Sequence, residues 1–119
     1  MTFYEDVWKK KTTEKRKLSS TKILQKKLIP VIISKAHGVQ CENILPLNKF
    51  AAKPNMTWGQ FIAGVRNKCN LEPSQALFFF VNDRLISCNL LMSQVYKKHK
   101  SEDLCLVIFY TIETVFGYT

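Results

Sequence analysis

Two histidines and four cysteines are the residues of this chain best suited to metal or nucleophile chemistry. His37 and Cys41 stand four apart, while Cys69, Cys88, His99 and Cys105 are scattered, and no CxxC occurs. Zinc sites draw their ligands from closely spaced pairs, so no metal site is expected. Nothing in the sequence brings a Cys–His nucleophile pair together. Cys69 and Cys105 read as small core residues. The four glycines are isolated, so there is no phosphate-cradling loop.

Charge is the stronger signal. The 18 Lys+Arg and 9 Asp+Glu give a formal net charge of +9. Ten of the basic residues (Lys9, Lys10, Lys11, Lys15, Arg16, Lys17, Lys22, Lys26, Lys27, Lys35) fall in residues 1–35. Only Glu5, Asp6 and Glu14 oppose them there, so the arm carries +7 and the rest of the chain +2. A field of this sign favours an anionic membrane surface, nucleic acid or acidic peptides. At sequence level a solvated helical face and a docking surface for an acidic partner both remain open.

The 119 residues suit one domain, and 46% hydrophobic content is enough for a core. The longest strongly apolar run, Leu104 to Ile112, is too short to span a bilayer. Residues 1–20 carry acids and lysines without an apolar signal core. A cytoplasmic protein with reduced thiols is therefore expected.

The elements that must position these groups follow from pattern. Thr12 or Thr13 can cap a helix running to about Lys27, since that stretch lacks Gly and Pro. A shorter helix is expected around Phe3–Trp8, with Trp8 either capping the core or standing as an exposed contact. Residues 29–34 are β-branched and predict a strand; Pro30 belongs at its start or on a free edge. Residues 49–52 predict a short second strand. Thr57 followed by Gln60 is a capping box opening a helix over 58–69, whose Trp58, Phe61, Ile62, Val65 and Cys69 share one face. Residues 76–82 predict a buried strand, 91–98 a short helix, and 104–112 a central strand covered on both faces.

This order is that of an α+β, ubiquitin-like β-grasp: a four-stranded mixed sheet with two extra N-terminal helices. The expected division is a basic helical arm over 1–28 packed on the core, a ubiquitin-like domain over 29–117, and a tail of residues 118–119. One sheet face packs on the 58–69 helix, and the N-terminal helices are the candidates to cover the other.

Several stretches are specific. Glu14-Lys15-Arg16-Lys17, Ile29-Pro30-Val31-Ile32, Thr57-Trp58-Gly59-Gln60-Phe61 and Ala76-Leu77-Phe78-Phe79-Phe80-Val81-Asn82-Asp83 occur in order. Met92-Ser93-Gln94-Val95-Tyr96, Glu102-Asp103 and the terminal Phe116-Gly117 follow. Together they resemble the autophagy-related protein 8 family of ubiquitin-like modifiers, which includes the GABARAP proteins. The resemblance covers nearly the whole chain.

The resemblance implies a non-enzymatic protein tag. A tail-processing cysteine protease would cut between Gly117 and Tyr118. Activating and conjugating enzymes would carry Gly117 as a thioester and join it to phosphatidylethanolamine on autophagosomal membranes. No other cofactor is implied. A glycine without a Cβ suits a tail that threads a narrow cleft. The resemblance also implies binding of cargo receptors through acidic aromatic-x-x-aliphatic peptides, which would add a strand beside residues 49–52. Carried over by position, Ile23, Pro30, Lys49, Ala51 and Cys105 would line a first pocket. Phe50, Ala52, Met56, Phe61 and Val65 would line a second. Arg66 and Lys49, with the N-terminal lysines, would pair with the peptide's acids. For Phe61 and Val65 a plain core role fits equally well. The expected locations are cytoplasm and, once lipidated, the autophagosome membrane; a monomer is expected.

The chain departs from the family pattern in four places. It is two residues shorter between Ile23 and Pro30, where a basic contact for peptide acids usually lies. Ala51-Ala52-Lys53 replaces larger aliphatics, which widens both expected pockets. Asp103-Leu104-Cys105 and the mid-helix Gly64 are the other two. The rival reading of the basic arm is a non-lipidated adaptor, or a microtubule- or nucleic-acid-binding module. No aromatic–basic RNA-binding motif supports nucleic acid.

Overall fold

The computed structural model describes residues 2–36, 44–45 and 48–114, with side chains from residue 14 to 113 of these. In chain order the elements are α1 (Thr2–Gln25), β1 (Ile29–Lys35), β2 (Lys49–Ala52), α2 (Trp58–Arg66), β3 (Gln75–Phe80), α3 (Met92–His99) and β4 (Leu106–Thr114). The sheet order is β2-β1-β4-β3. The central pair β1–β4 is parallel and the two outer pairs are antiparallel. This is the mixed sheet of the ubiquitin-like fold.

The N-terminal region differs from expectation. A single helix runs from Thr2 to Gln25 in place of two. No Gly or Pro interrupts it, and a threonine inside a helix costs well under about 1 kcal/mol relative to alanine. Thr12 and Thr13 are thus carried in the helix interior. The helix ends in a Schellman arrangement: Lys27 N–H donates to Leu24 C=O (2.9 Å) and Leu28 N–H to Ile23 C=O (3.3 Å). Lys27 takes the left-handed conformation (φ 60°) that glycine usually fills there.

The other elements follow their sequence signals closely. Thr57 Oγ1 accepts from Gln60 N–H (3.1 Å) and Gln60 Oε1 from Thr57 N–H (3.0 Å), completing the capping box of α2. The helix stops at Arg66, three residues earlier than its apolar pattern suggests, and Lys68 and Cys69 bond back to Val65 and Arg66 in tight turns. Trp58, Phe61, Ile62 and Val65 bury against Val31, Ile33, Leu77, Phe79, Leu106 and Ile108, together with Met92 and Val95 of α3.

β4 is central, as expected, but β3 is an edge strand and not a buried one. Leu77 and Phe79 enter the core, whereas Phe78 is 41% exposed. On β4, Leu106, Ile108 and Tyr110 face the core and Phe109 is 38% exposed. Helix α1 packs on β1. Coverage of the second sheet face therefore centres on β1 and leaves these two phenylalanines open.

Candidate functional site

Strand β2 forms one edge of the sheet. Ile33 N–H donates to Asn48 C=O (2.8 Å), and the register pairs Val31 with Phe50 and Ile29 with Ala52. An antiparallel ladder alternates bonded and non-bonded pairs. The Phe50 and Ala52 backbone groups therefore face β1, and those of Lys49 and Ala51 face outward. Pro30 pairs with Ala51 at a non-bonded position and precedes the β4 ladder, which starts at Val31. Its missing N–H costs nothing on either side.

The opposite edge is blunted. Arg66 donates to Leu77 C=O (2.6 Å) and its guanidinium stands 5.7 Å from the centre of the Phe79 ring. This corrects the sequence-level role of Arg66, because its head group is engaged on β3, across the sheet from β2. A filled carbonyl and an overlying cation discourage pairing at β3.

Beside β2, between α1 and β1, lies a cavity of about 670 Å³. All five residues expected for the first pocket (Ile23, Pro30, Lys49, Ala51, Cys105) line it. Phe50, expected in the second pocket, also reaches this cavity, and its ring stacks edge-on against Phe61 at 6.0 Å. Lys15, one of the N-terminal lysines expected to meet peptide acids, lines it too, and Arg16, Ser19, Ser20, Ser34 and Asn48, not named for the pocket, add further polar and cationic wall. The basic run over 15–17 was visible, but its docking against β1 is a tertiary contact.

The second pocket is mostly core. Ala52, Phe61 and Val65 are buried, and of the set only Phe50 and Met56 keep partial exposure. The reason is the strand's alternation: Ala51 faces out and Ala52 in, so the two shortened side chains do not act on two pockets alike.

One ion pair holds the cavity wall. Arg16 donates to Asp103 Oδ2 at 3.1 Å, tying α1 to the turn before β4. Asp103 is buried, and burial alone would raise its carboxyl pKa. Hydrogen bonds from Ser101 (2.5 Å), its own backbone amide and Arg16, with the Arg16 charge, outweigh that and hold it below the ordinary value. Ser101 Oγ also lies 2.8 Å from Cys105 C=O and 3.4 Å from Cys105 Sγ. Burial pushes the Cys105 thiol pKa up, opposed in part by the hydrogen bond from Ser101. Leu104, between them, adopts φ 64°, and its carbonyl accepts from Tyr96 Oη (2.8 Å).

Among the described residues no group of three or more His, Cys, Asp or Glu could hold a metal ion. No helix of theirs is long and apolar enough to cross a membrane. Gly117 and Tyr118, with Phe116, His37 and Cys41, lie outside the described residues, as does the side chain of Trp8.

Residues 14–117 match the family described as "Autophagy protein Atg8 ubiquitin like". The match ends on Gly117. Autophagy-related protein 8 of Candida glabrata is 40% identical over 107 residues, covering 88% of this chain and 90% of that protein. The Saccharomyces cerevisiae protein of the same name is 39% identical over 106 residues, covering 87% and 90%. Among solved structures, Trypanosoma brucei ATG8 is similar with a TM-score of 0.74 and 30% identity, over 88% of this chain and 91% of that one. Plasmodium falciparum Atg8 in complex with a Plasmodium falciparum Atg3 peptide gives 0.73 and 28%, over 83% and 89%. The sheet order, the blocks of sequence and these matches agree that the chain belongs to the Atg8 family of ubiquitin-like proteins of autophagy.

Proposed function

We propose that this chain is a ubiquitin-like modifier, cut after Gly117, conjugated through Gly117 to phosphatidylethanolamine, and read by peptides that add a strand to β2. It does no catalysis itself. Its partners are a tail-processing cysteine protease, activating and conjugating enzymes, and receptors carrying acidic aromatic-x-x-aliphatic motifs. It works in the cytoplasm and on the autophagosome membrane.

The open β2 edge beside a cation-rimmed cavity carries this reading. An extended peptide gains backbone bonds at Lys49 and Ala51, while an aromatic anchor enters the cavity over Ile23 and Pro30. Lys15 and Lys49 stand at the cavity for acids preceding the aromatic. Arg16 is engaged by Asp103 and contributes less free charge. The relative from Plasmodium falciparum, solved with an Atg3 peptide, supports a partner of the conjugating class.

The lipid step accounts for membrane residence. Two acyl chains anchor a domain stably where one is marginal. Basic residues of α1 near an anionic surface would add about 1 kcal/mol each.

The test is a titration with an acidic aromatic-x-x-aliphatic peptide followed by amide chemical shifts. Changes centred on Lys49, Phe50 and Ala51 are expected. Saturating peptide with no change at these amides would reject the groove.

A further inference from the structure

A second concave site lies elsewhere on the molecule. The segment 84–90 runs beside α3 and encloses a groove of about 280 Å³. It shares no lining residue with the β2 cavity. Ile86, Leu90 and Val95 contribute apolar surface. Leu85, beside them, is 74% exposed, and Leu90 is 39% exposed. At this size, just under the usual small-molecule range, the groove suits a single inserted side chain.

One part of the groove is cationic. Arg84, Lys98 and His99 line it together, and no carboxylate does. Among the described residues neither Arg84 nor Lys98 is held in an ion pair with a side-chain carboxylate. The His99 pKa is lowered by burial first, then by the charges of Lys98 and Arg84, which places all three basic groups close together. Asn82 Nδ2 lies 3.0 Å from His99 Nδ1, so a neutral ring accepts from the amide.

The backbone fixes this geometry. Val81 and Arg84 exchange both backbone hydrogen bonds at 3.0 Å. Asn82 (φ 50°) and Asp83 (φ 62°) both take the left-handed conformation, which marks a two-residue type I′ turn. This rigid turn presents Arg84 at a set position beside the last turn of α3.

We propose that this groove docks an acidic peptide segment carrying an aliphatic side chain, separately from the β2 edge. The aliphatic group seats over Ile86 and Val95, and the acid beside it meets Arg84 and Lys98. A flat lipid surface would leave the recess over Ile86 and Val95 unfilled, and a second copy of this basic chain would bring repelling charge. With non-overlapping linings, one partner could engage both grooves and gain from the raised local concentration of the second contact.

The test uses the full chain carrying Ala51→Pro, in which β2 peptide binding is expected to be weakened about tenfold. Phage-displayed random dodecapeptides are selected on it, and enriched sequences are synthesised and titrated. The expected consensus places Asp or Glu next to Leu, Ile or Val, with shifts at the Leu85, Ile86 and Val95 amides. The double change Arg84→Glu and Lys98→Glu should weaken binding about tenfold, since each attraction becomes a repulsion. The neutral pair Arg84→Gln and Lys98→Gln serves if the reversed pair misfolds. Either pair should leave β2 peptide binding on the otherwise unaltered chain unchanged. The proposal is overturned if no acidic–aliphatic consensus emerges or if the charge changes leave affinity intact. It is equally overturned if only phosphatidylserine vesicles, and no peptide, report on Arg84 and Lys98. β2 peptide binding of unaltered affinity in Ala51→Pro would instead count against the edge geometry.

Discussion

Ala51→Pro separates the two sides of strand β2. The Ala51 N–H points away from β1 because the bonded pairs fall at 29–52, 31–50 and 33–48. Proline at this position removes one outward donor and no bond of the native ladder. Phe50 is already extended, as a residue before proline must be. An edge strand tolerates proline on its solvent side, so stability should change by less than about 1 kcal/mol. Loss of one hydrogen bond of about 1 kcal/mol weakens a peptide roughly fivefold. The ring also occupies the approach of the incoming carbonyl, so a loss of roughly tenfold is expected. Fluorescence anisotropy with a labelled acidic aromatic-x-x-aliphatic peptide measures it. Phe50→Pro is the parity control: it deletes an inward ladder bond and should destabilise the fold by about 1–3 kcal/mol. An Ala51→Pro protein that is folded and binds with unaltered affinity would refute the strand-addition geometry.

Three further outcomes follow from local packing. Gly64 sits inside α2 with nothing within 4 Å of an added Cβ; Gly64→Ala should stabilise by about 1 kcal/mol, raising Tm by roughly 3–6 °C. At Gly59 the same Cβ would stand 3.1 Å from Cys88 Cβ and 3.2 Å from its carbonyl oxygen, so Gly59→Ala should destabilise by about 1–3 kcal/mol in the same thermal melt. Asp103 has a folded pKa held below its unfolded value, so its contribution is complete above about pH 4 and is lost as pH falls through the folded value. Asp103→Asn should therefore flatten the acid limb of the stability curve while lowering stability at neutral pH, as followed by urea unfolding from pH 2 to 7.

Local signals told most of the fold, and they failed where the cause was not local. The capping box at Thr57 and Gln60 and the β-branched run at 29–34 state their structure directly, because each acts within a few residues. The single long α1 was missed because a threonine pair reads equally as cap or interior, and only the uninterrupted backbone decides. β3 read as buried because Phe78, Phe79 and Phe80 are alike in hydropathy, and composition cannot tell a one-sided edge from a two-sided centre. At the site, the five first-pocket residues were legible through family resemblance. The Arg16–Asp103 pair joins residues 87 apart in sequence, and no spacing rule reaches it. Arg66 was misplaced for the same reason: its position on α2 is evident, but the carbonyl it meets lies on β3.

The central claim concerns Gly117. Incubating the full chain with tail-processing protease, activating and conjugating enzymes, ATP and phosphatidylethanolamine vesicles, then recording intact mass, tests it most directly. The account predicts loss of Tyr118-Thr119, followed by addition of one phosphatidylethanolamine at Gly117, with both steps blocked by Gly117→Ala. An unchanged mass, with Tyr118-Thr119 still attached and no lipid added, would contradict it.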